Sequence, residues 1–513
     1  MPFTSTTRDV PATRRSRMWR RAILALLALI WVGTAYWQTN KPLPAGVHID
    51  SPWYPITAAD VTFIADITSA DAYGRQNSSQ AIFDQVLGVI HSARKFIVLD
   101  YFLFNSQLGV TQGSSQPLRA ISGELRDALI ARRRELPELQ VLFITDPINE
   151  AYGGVTSHDL RLLRASGVQV AVTNLDQLRD SNFMYSSLWR LGIKWWSGGG
   201  AQSGVAAKRG WLPNPLDESA APVSFGAWAR LLNFKANHRK LVIADDGRDG
   251  LVALVGSANI HDASSAHSNT ALRITGPATV ALLHSELDIA RFSGWSGHLD
   301  APANNVDPPP IAPGEGRLKV LTEGAIRSEL LEQLDAAVSG DNIDIATFYI
   351  SDRGVVQSLL AASRRGVSVR LILDPNKDAF GHARTGIPNQ PVASELVAAS
   401  DGAIHVRWYR THGEQFHTTL ALIYGRERFW MTVGSANLTR RNLADYDLEA
   451  NIAVELPRSS RLAQQSLDYF ETLWSNRAGL GIEYTADFGY YADPSQLHYW
   501  LYRVMEGTGA STF

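Results

Sequence analysis

His238-Arg239-Lys240-Leu241-Val242-Ile243-Ala244-Asp245 sets an imidazole and an ammonium two residues apart, then an apolar run, then a carboxylate. Side chains alternate across a strand, so His238 and Lys240 are expected on one face. That pair suits an oxyanion substrate: the lysine offsets phosphate charge while the histidine attacks or transfers a proton. Downstream, Gly256-Ser257-Ala258-Asn259 offers a hydroxyl, a carboxamide and closely spaced backbone N–H groups, all able to donate to phosphate oxygens. A lone histidine in a strand is more often a packed residue than a catalyst. Here the pattern returns: His417 heads a second apolar strand, and Gly434-Ser435-Ala436-Asn437 follows it. The second copy is incomplete, with Thr419 in the lysine's place and Tyr424 in the aspartate's.

The elements that must position these residues also occur twice. A helical stretch at 81–92 leads into an apolar, aromatic-ended strand at 96–104, and one at 328–338 leads into 343–350. In each half a charged helix and an apolar strand follow, closing at Asp146-Pro147 and Asp374-Pro375, and further strands begin at Val168 and Ile404. The Asp-Pro turns lie 228 positions apart but the histidines only 179, so the first half carries an insertion at about 179–233. Strands alternating with helices predict an α/β fold of two duplicated sandwich halves, 50–300 and 317–513, joined by the Pro-rich linker 301–316. The insertion holds Trp189, Trp195, Trp196, Trp211 and Trp228, which suggests a lipid-facing rim as the alternative to core packing.

The duplicated H-x-K-x-x-x-x-D motif with its Gly-Ser-x-Asn turn resembles the phospholipase D superfamily over roughly residues 50–510, and among its members the bacterial membrane proteins similar to cardiolipin synthases. The resemblance implies one active site, shared by the two halves of a single chain, that cleaves a phosphodiester without metal or cofactor. It implies a phosphohistidine on His238, resolved by water or an alcohol, with His417 as general acid. Lys240, Ser257, Asn259, Ser435 and Asn437 would bind phosphate, and Asp245 would be structural. The family's orienting carboxylate aligns with Glu449 in the second half and with Asn269 in the first. A carboxylate raises an imidazole's pKa whereas an amide only fixes its tautomer. The expected pairs are therefore Glu449 with His417 and Asn269 with His238. Thr419 removes one phosphate-binding cation, a loss of about 10² in rate.

The substrate class this implies is a glycerophospholipid, processed by a phospholipase D or phosphatidyltransferase. The alternatives are a membrane-anchored nuclease of the same superfamily and a non-catalytic lipid-binding protein. Forty-eight basic against fifty acidic residues leave a net charge of −2 and no broad field for nucleic acid, which counts against the nuclease. The absence of cysteine excludes disulfides and thiolate chemistry, and the thirteen histidines show no metal-ligand spacing. Arginines at 14, 15, 17, 20 and 21 precede an uncharged stretch, 22–40, that spans roughly 28 Å as a helix. It reads as a signal anchor with residues 1–21 cytoplasmic and the catalytic region outside the inner membrane, or else as a cleaved signal peptide. Sequence leaves the oligomeric state open.

Overall fold

The computed structural model describes residues 12–71, 73–107, 118–196, 210–214, 221–248, 250–303, 310–311, 316–379, 382–477 and 482–513. The expected linker falls largely outside them.

Two large mixed sheets form the centre. The first has the strand order Val61–Asp66, Asn269–Thr275, Leu251–Gly256, Lys240–Asp245, Phe96–Tyr101, Gln140–Thr145, Gln169–Val172. The second repeats that order with Gly316–Thr322, Ala450–Pro457, Arg428–Gly434, Thr419–Tyr424, Asn342–Thr347, Ser368–Leu373 and Ile404–Tyr409, and adds Tyr54–Ile56 and Thr485–Asp487 at its edges. Registers match as well: Tyr101 stands opposite Lys240 as Thr347 stands opposite Thr419. The central strands are apolar and buried on both faces because helices cover the outside and the other sheet covers the inside. Val98, Leu142 and Ile243 of the first sheet share one core with Leu420, Leu422 and Ile452 of the second. Ile82 and Leu125 close the outer face of one sheet; Leu330 and Leu359 close that of the other.

Two further features lock the sheets together. Helix Ala278–Phe292 follows the first sheet yet packs on Gly316–Thr322 of the second, and Arg461–Trp474 packs reciprocally on Val61–Asp66. Arg239, between the motif's histidine and lysine, is fully buried and bridges Glu286 at 2.8 Å and Glu323 at 2.7 Å, one on each side of the interface. Such a triad stands only while all its members are present.

The N-terminal helix, Ala12–Asn40, contains an apolar span, Ser16–Asn40, long enough to cross a membrane and unburied by the rest of the chain. Its C-terminal end docks on the insertion: the Trp31 indole donates to Met184 O, and Asp180 N–H donates to Gln38 O. Of the insertion's tryptophans, Trp189 is buried in the protein while Trp195, Trp196 and Trp211 are exposed.

Candidate active site

Each histidine lies two residues ahead of its strand, in a segment that crosses to the other half. Asn237 forms a parallel bridge with Leu448, and Phe416 with Ser268. In a parallel bridge the following residues are neighbours too, so His238 meets Glu449 and His417 meets Asn269. His238 Nδ1 lies 2.8 Å from Glu449 Oε1, and His417 Nδ1 lies 3.3 Å from Asn269 Oδ1. The pairing expected from sequence is therefore reversed: each orienting residue serves the histidine of the opposite half. His238, not His417, has the carboxylate.

The Asp-Pro turns fix these crossing segments. Asp146 accepts the N–H of Asn237 and Asp374 that of Phe416, each at 2.7 Å and each one residue ahead of a histidine. Asp245 accepts backbone N–H groups of Arg94, Lys95 and Phe96 and so anchors the adjacent strand. Tyr424 holds Asp344 instead. Gly256 and Gly434 are required by close approach: a Cβ would come within 2.5 Å of Thr270 O and 2.2 Å of Ala450 O respectively.

The turn serines bond their hydroxyls to the orienting residues. Ser257 Oγ donates to Asn269 at 3.1 Å, and Ser435 Oγ donates to Glu449. Both act on the orienting residues. Their backbones nonetheless face the imidazoles, Ser435 against His238 and Ser257 against His417. Asn259 and Asn437 do line the pocket, and Asn259 Oδ1 also accepts Leu103 N–H.

Both histidines open into one cavity of roughly 480 Å³, whose walls include Phe102, Tyr152, Trp228, Phe234 and Phe348. Glu449 accepts from Ser435 and Asn442, and burial pushes its pKa up to about 7 against the nearby charge of Lys240. Burial, then the charges of Lys240 and Arg441, holds His238 well below the usual imidazole range. With two donors already on Glu449, a neutral His238 giving Nδ1–H to the carboxylate satisfies both groups and leaves Nε2 free. Burial and Lys240 depress His417 in the same direction. Asn269 sends its amide N–H to His267 O, so its Oδ1 receives Nδ1–H of His417.

Lys240 is 2% exposed, with Nζ 2.6 Å from His238 O and 5.3 Å from the Phe102 ring centroid. It backs the histidine and does not line the cavity. Burial lowers its pKa to about 7, although Glu449 opposes the shift. Thr419 is also turned from the cavity, its hydroxyl bonded to Gly434 O. Arg426, two residues beyond Tyr424, sits exposed on the turn at the far end of that strand. Lys235, Arg384 and Arg441 do line the cavity, and Arg441 sits on the short helix Arg440–Leu443 after the second Gly-Ser-Ala-Asn turn. Its Nη1 donates to Ser511 O at 2.7 Å and its Nε lies 3.4 Å from Asp447. The repeat could not reveal it, because its place belongs to no motif.

Residues 330–474 match the family model described as "Cardiolipin synthase, PLD-like domain". Over that segment the chain is similar to the phospholipase D-like domain. The fold is similar to that of phosphatidylserine synthase from Haemophilus influenzae Rd KW20, at 12% identity and a TM-score of 0.52, over 92% of this chain and 96% of that one. The phospholipase D family member Nuc from Salmonella typhimurium aligns with 33% of this chain and 97% of its own, at 20% identity and a TM-score of 0.25. No curated protein matches the chain.

Proposed function

We propose that the chain is a phospholipase D-like phosphodiesterase or phosphatidyltransferase acting on glycerophospholipids, with its site formed by both halves of one chain. The observation that carries the reading is the buried His238–Glu449 pair facing His417 across a single cavity. His238 Nε2 attacks phosphorus, and the bond from phosphorus to the leaving alcohol oxygen breaks as a His417 that has first taken up a second proton, against its lowered pKa, gives its Nε2 proton to that oxygen and returns to the neutral form. A phosphohistidine results, and Glu449 balances its positive ring. In the second step neutral His417 takes the proton of water or an alcohol, whose oxygen displaces His238. Phosphate oxygens face Asn259, Asn437 and the cation Arg441, with Lys240 adding charge from behind. The net charge of −2, with no broad positive field, favours a lipid over a nucleic acid. The helix Ser16–Asn40 acts as a signal anchor that leaves the site outside the cytoplasm.

The test supplies the full-length protein with labelled phosphatidylglycerol and, separately, with labelled single-stranded DNA. Turnover of the lipid with acid-labile label on His238 is expected. Turnover of DNA alone identifies a nuclease, and turnover of neither leaves a lipid-binding protein.

A further inference from the structure

Beyond Tyr152 and Lys235, which form a shared wall with the histidine pocket, lies a second cavity of about 600 Å³. The proposed chemistry does not use it. It opens where the strands Gln140–Thr145 and Gln169–Val172 end, between the segment Thr173–Asp176, Trp189 and Arg230. The corner is unbalanced in charge. Lys41, Arg190, Lys194, Arg230 and Lys235, five cations, act there on two carboxylates, Asp176 and Asp180. Asp180 is committed to Arg190 at 2.8 Å and Lys235 at 2.5 Å, and Asp176 to Lys194 at 2.9 Å. Arg230, which lines the cavity, has no ion pair among the described residues and lies 5.8 Å from the Trp189 ring centroid. Burial and neighbouring cations press both Lys41 and Lys235 down to about 8. An anion in the cavity would relieve that repulsion, and a phosphate suits the planar donor fork of Arg230.

Position narrows the ligand. Lys41 directly follows the apolar N-terminal helix and donates its Nζ to Asp176 O at 3.0 Å, while Asp180 N–H reaches Gln38 O. A bilayer crossed by that helix places its headgroups at this level, beside the cavity. We infer that the second cavity binds a phosphate ester, namely the headgroup of an anionic phospholipid lying in the same leaflet as the reaction pocket. The site stands apart from the histidine chemistry and can be tested without turnover.

Full-length His238→Ala protein in an uncharged detergent is titrated with dihexanoyl phosphatidylglycerol, sn-glycerol 3-phosphate and, as a phosphate-free control, dihexanoylglycerol. Two equivalents of the phospholipid are expected. Arg230→Gln should remove one of them, weakening it about 10-fold or more, whereas Arg441→Gln should weaken the other. Arg230→Lys, which keeps the charge but loses the planar fork, should fold and bind at the second site with an affinity between those of the wild type and Arg230→Gln. Should the reading of the histidine pocket fail, one equivalent still remains and still depends on Arg230. Wild-type stoichiometry and affinity in a folded Arg230→Gln variant would overturn the inference, as would Arg230-dependent binding of dihexanoylglycerol. Arg230-dependent binding of glycerol 3-phosphate as tight as that of the lipid keeps the phosphate-ester site but overturns the lipid as its ligand.

Discussion

The two halves build the same scaffold around unlike histidines. Both imidazoles sit two residues before a strand, both are pinned by an Asp-Pro turn, and both receive an orienting side chain from the opposite sheet. His238 receives a carboxylate with two further donors on it, His417 an amide. Lys240 backs the first histidine, and Thr419, tied to Gly434 O, stands in the equivalent place behind the second. The scaffold thus fixes position, while charge is set residue by residue. The half that retains the full motif carries the histidine with charge support only because the other half lends it Glu449.

Complete removal of either histidine breaks the comparison most severely. His238→Ala and His417→Ala should each lower kcat/KM by about 10³-fold or more, because attack and proton transfer belong to one sequence of steps. The two variants should differ in trapping: label accumulates on His238 in His417→Ala supplied with an activated leaving group, and never in His238→Ala. Retention of activity in His417→Ala would show that the halves do not share a site.

Removal of the orienting groups should separate the halves. Glu449→Gln leaves His238 without charge support and should cost about 10² in kcat/KM. Asn269→Ala removes only a neutral hydrogen bond and should cost about 10-fold or less. Equal losses would mean that the carboxylate acts as a mere orienter.

The same pair governs pH dependence. The nucleophilic form needs ionised Glu449, whose pKa is pushed up to about 7, so activity should fall as pH drops through that range. Lys240 contributes only while protonated, and its pKa lies at about 7, so activity should also fall as pH rises beyond it. A narrow profile near neutrality is expected in kcat/KM. Glu449→Gln should flatten its acid limb, and Lys240→Arg, whose charge persists, its alkaline limb.

What was legible in sequence is the equivalence of positions. Self-comparison located both histidines, both Gly-Ser-Ala-Asn turns, both Asp-Pro turns and the residues aligned at 269 and 449, and the strand order follows it closely. It could not distinguish a pair made within a half from one made across the interface, because both keep the same sequence offsets. The decisive features are the parallel bridges Asn237–Leu448 and Ser268–Phe416, long-range contacts with no local signature. Arg441 was hidden for another reason. Its charge reaches the cavity from outside the repeat, whereas Arg426, nearer to the motif in sequence, points to solvent at the wrong end of a strand.

Thr419 gives the smallest effect and the sharpest test of how complete the second half is. Aligned with Lys240, it marks a lost cation, and restoring one should aid a site that lacks charge. Yet the Thr419 hydroxyl is satisfied by Gly434 O, the side chain is turned from the cavity, and Arg441 already supplies positive charge there. A second buried cation would also lower both histidines further, as Lys240 already does. Thr419→Lys alone should therefore change kcat/KM by about 3-fold or less. Arg441→Gln should lose about 10²-fold, and adding Thr419→Lys to that background should recover about 10-fold, because only then is a phosphate cation missing. A large gain from Thr419→Lys in the otherwise native chain would show that Arg441 does not take the lysine's part. No recovery in the folded double variant would show that position 419 cannot reach the phosphate from where its strand begins.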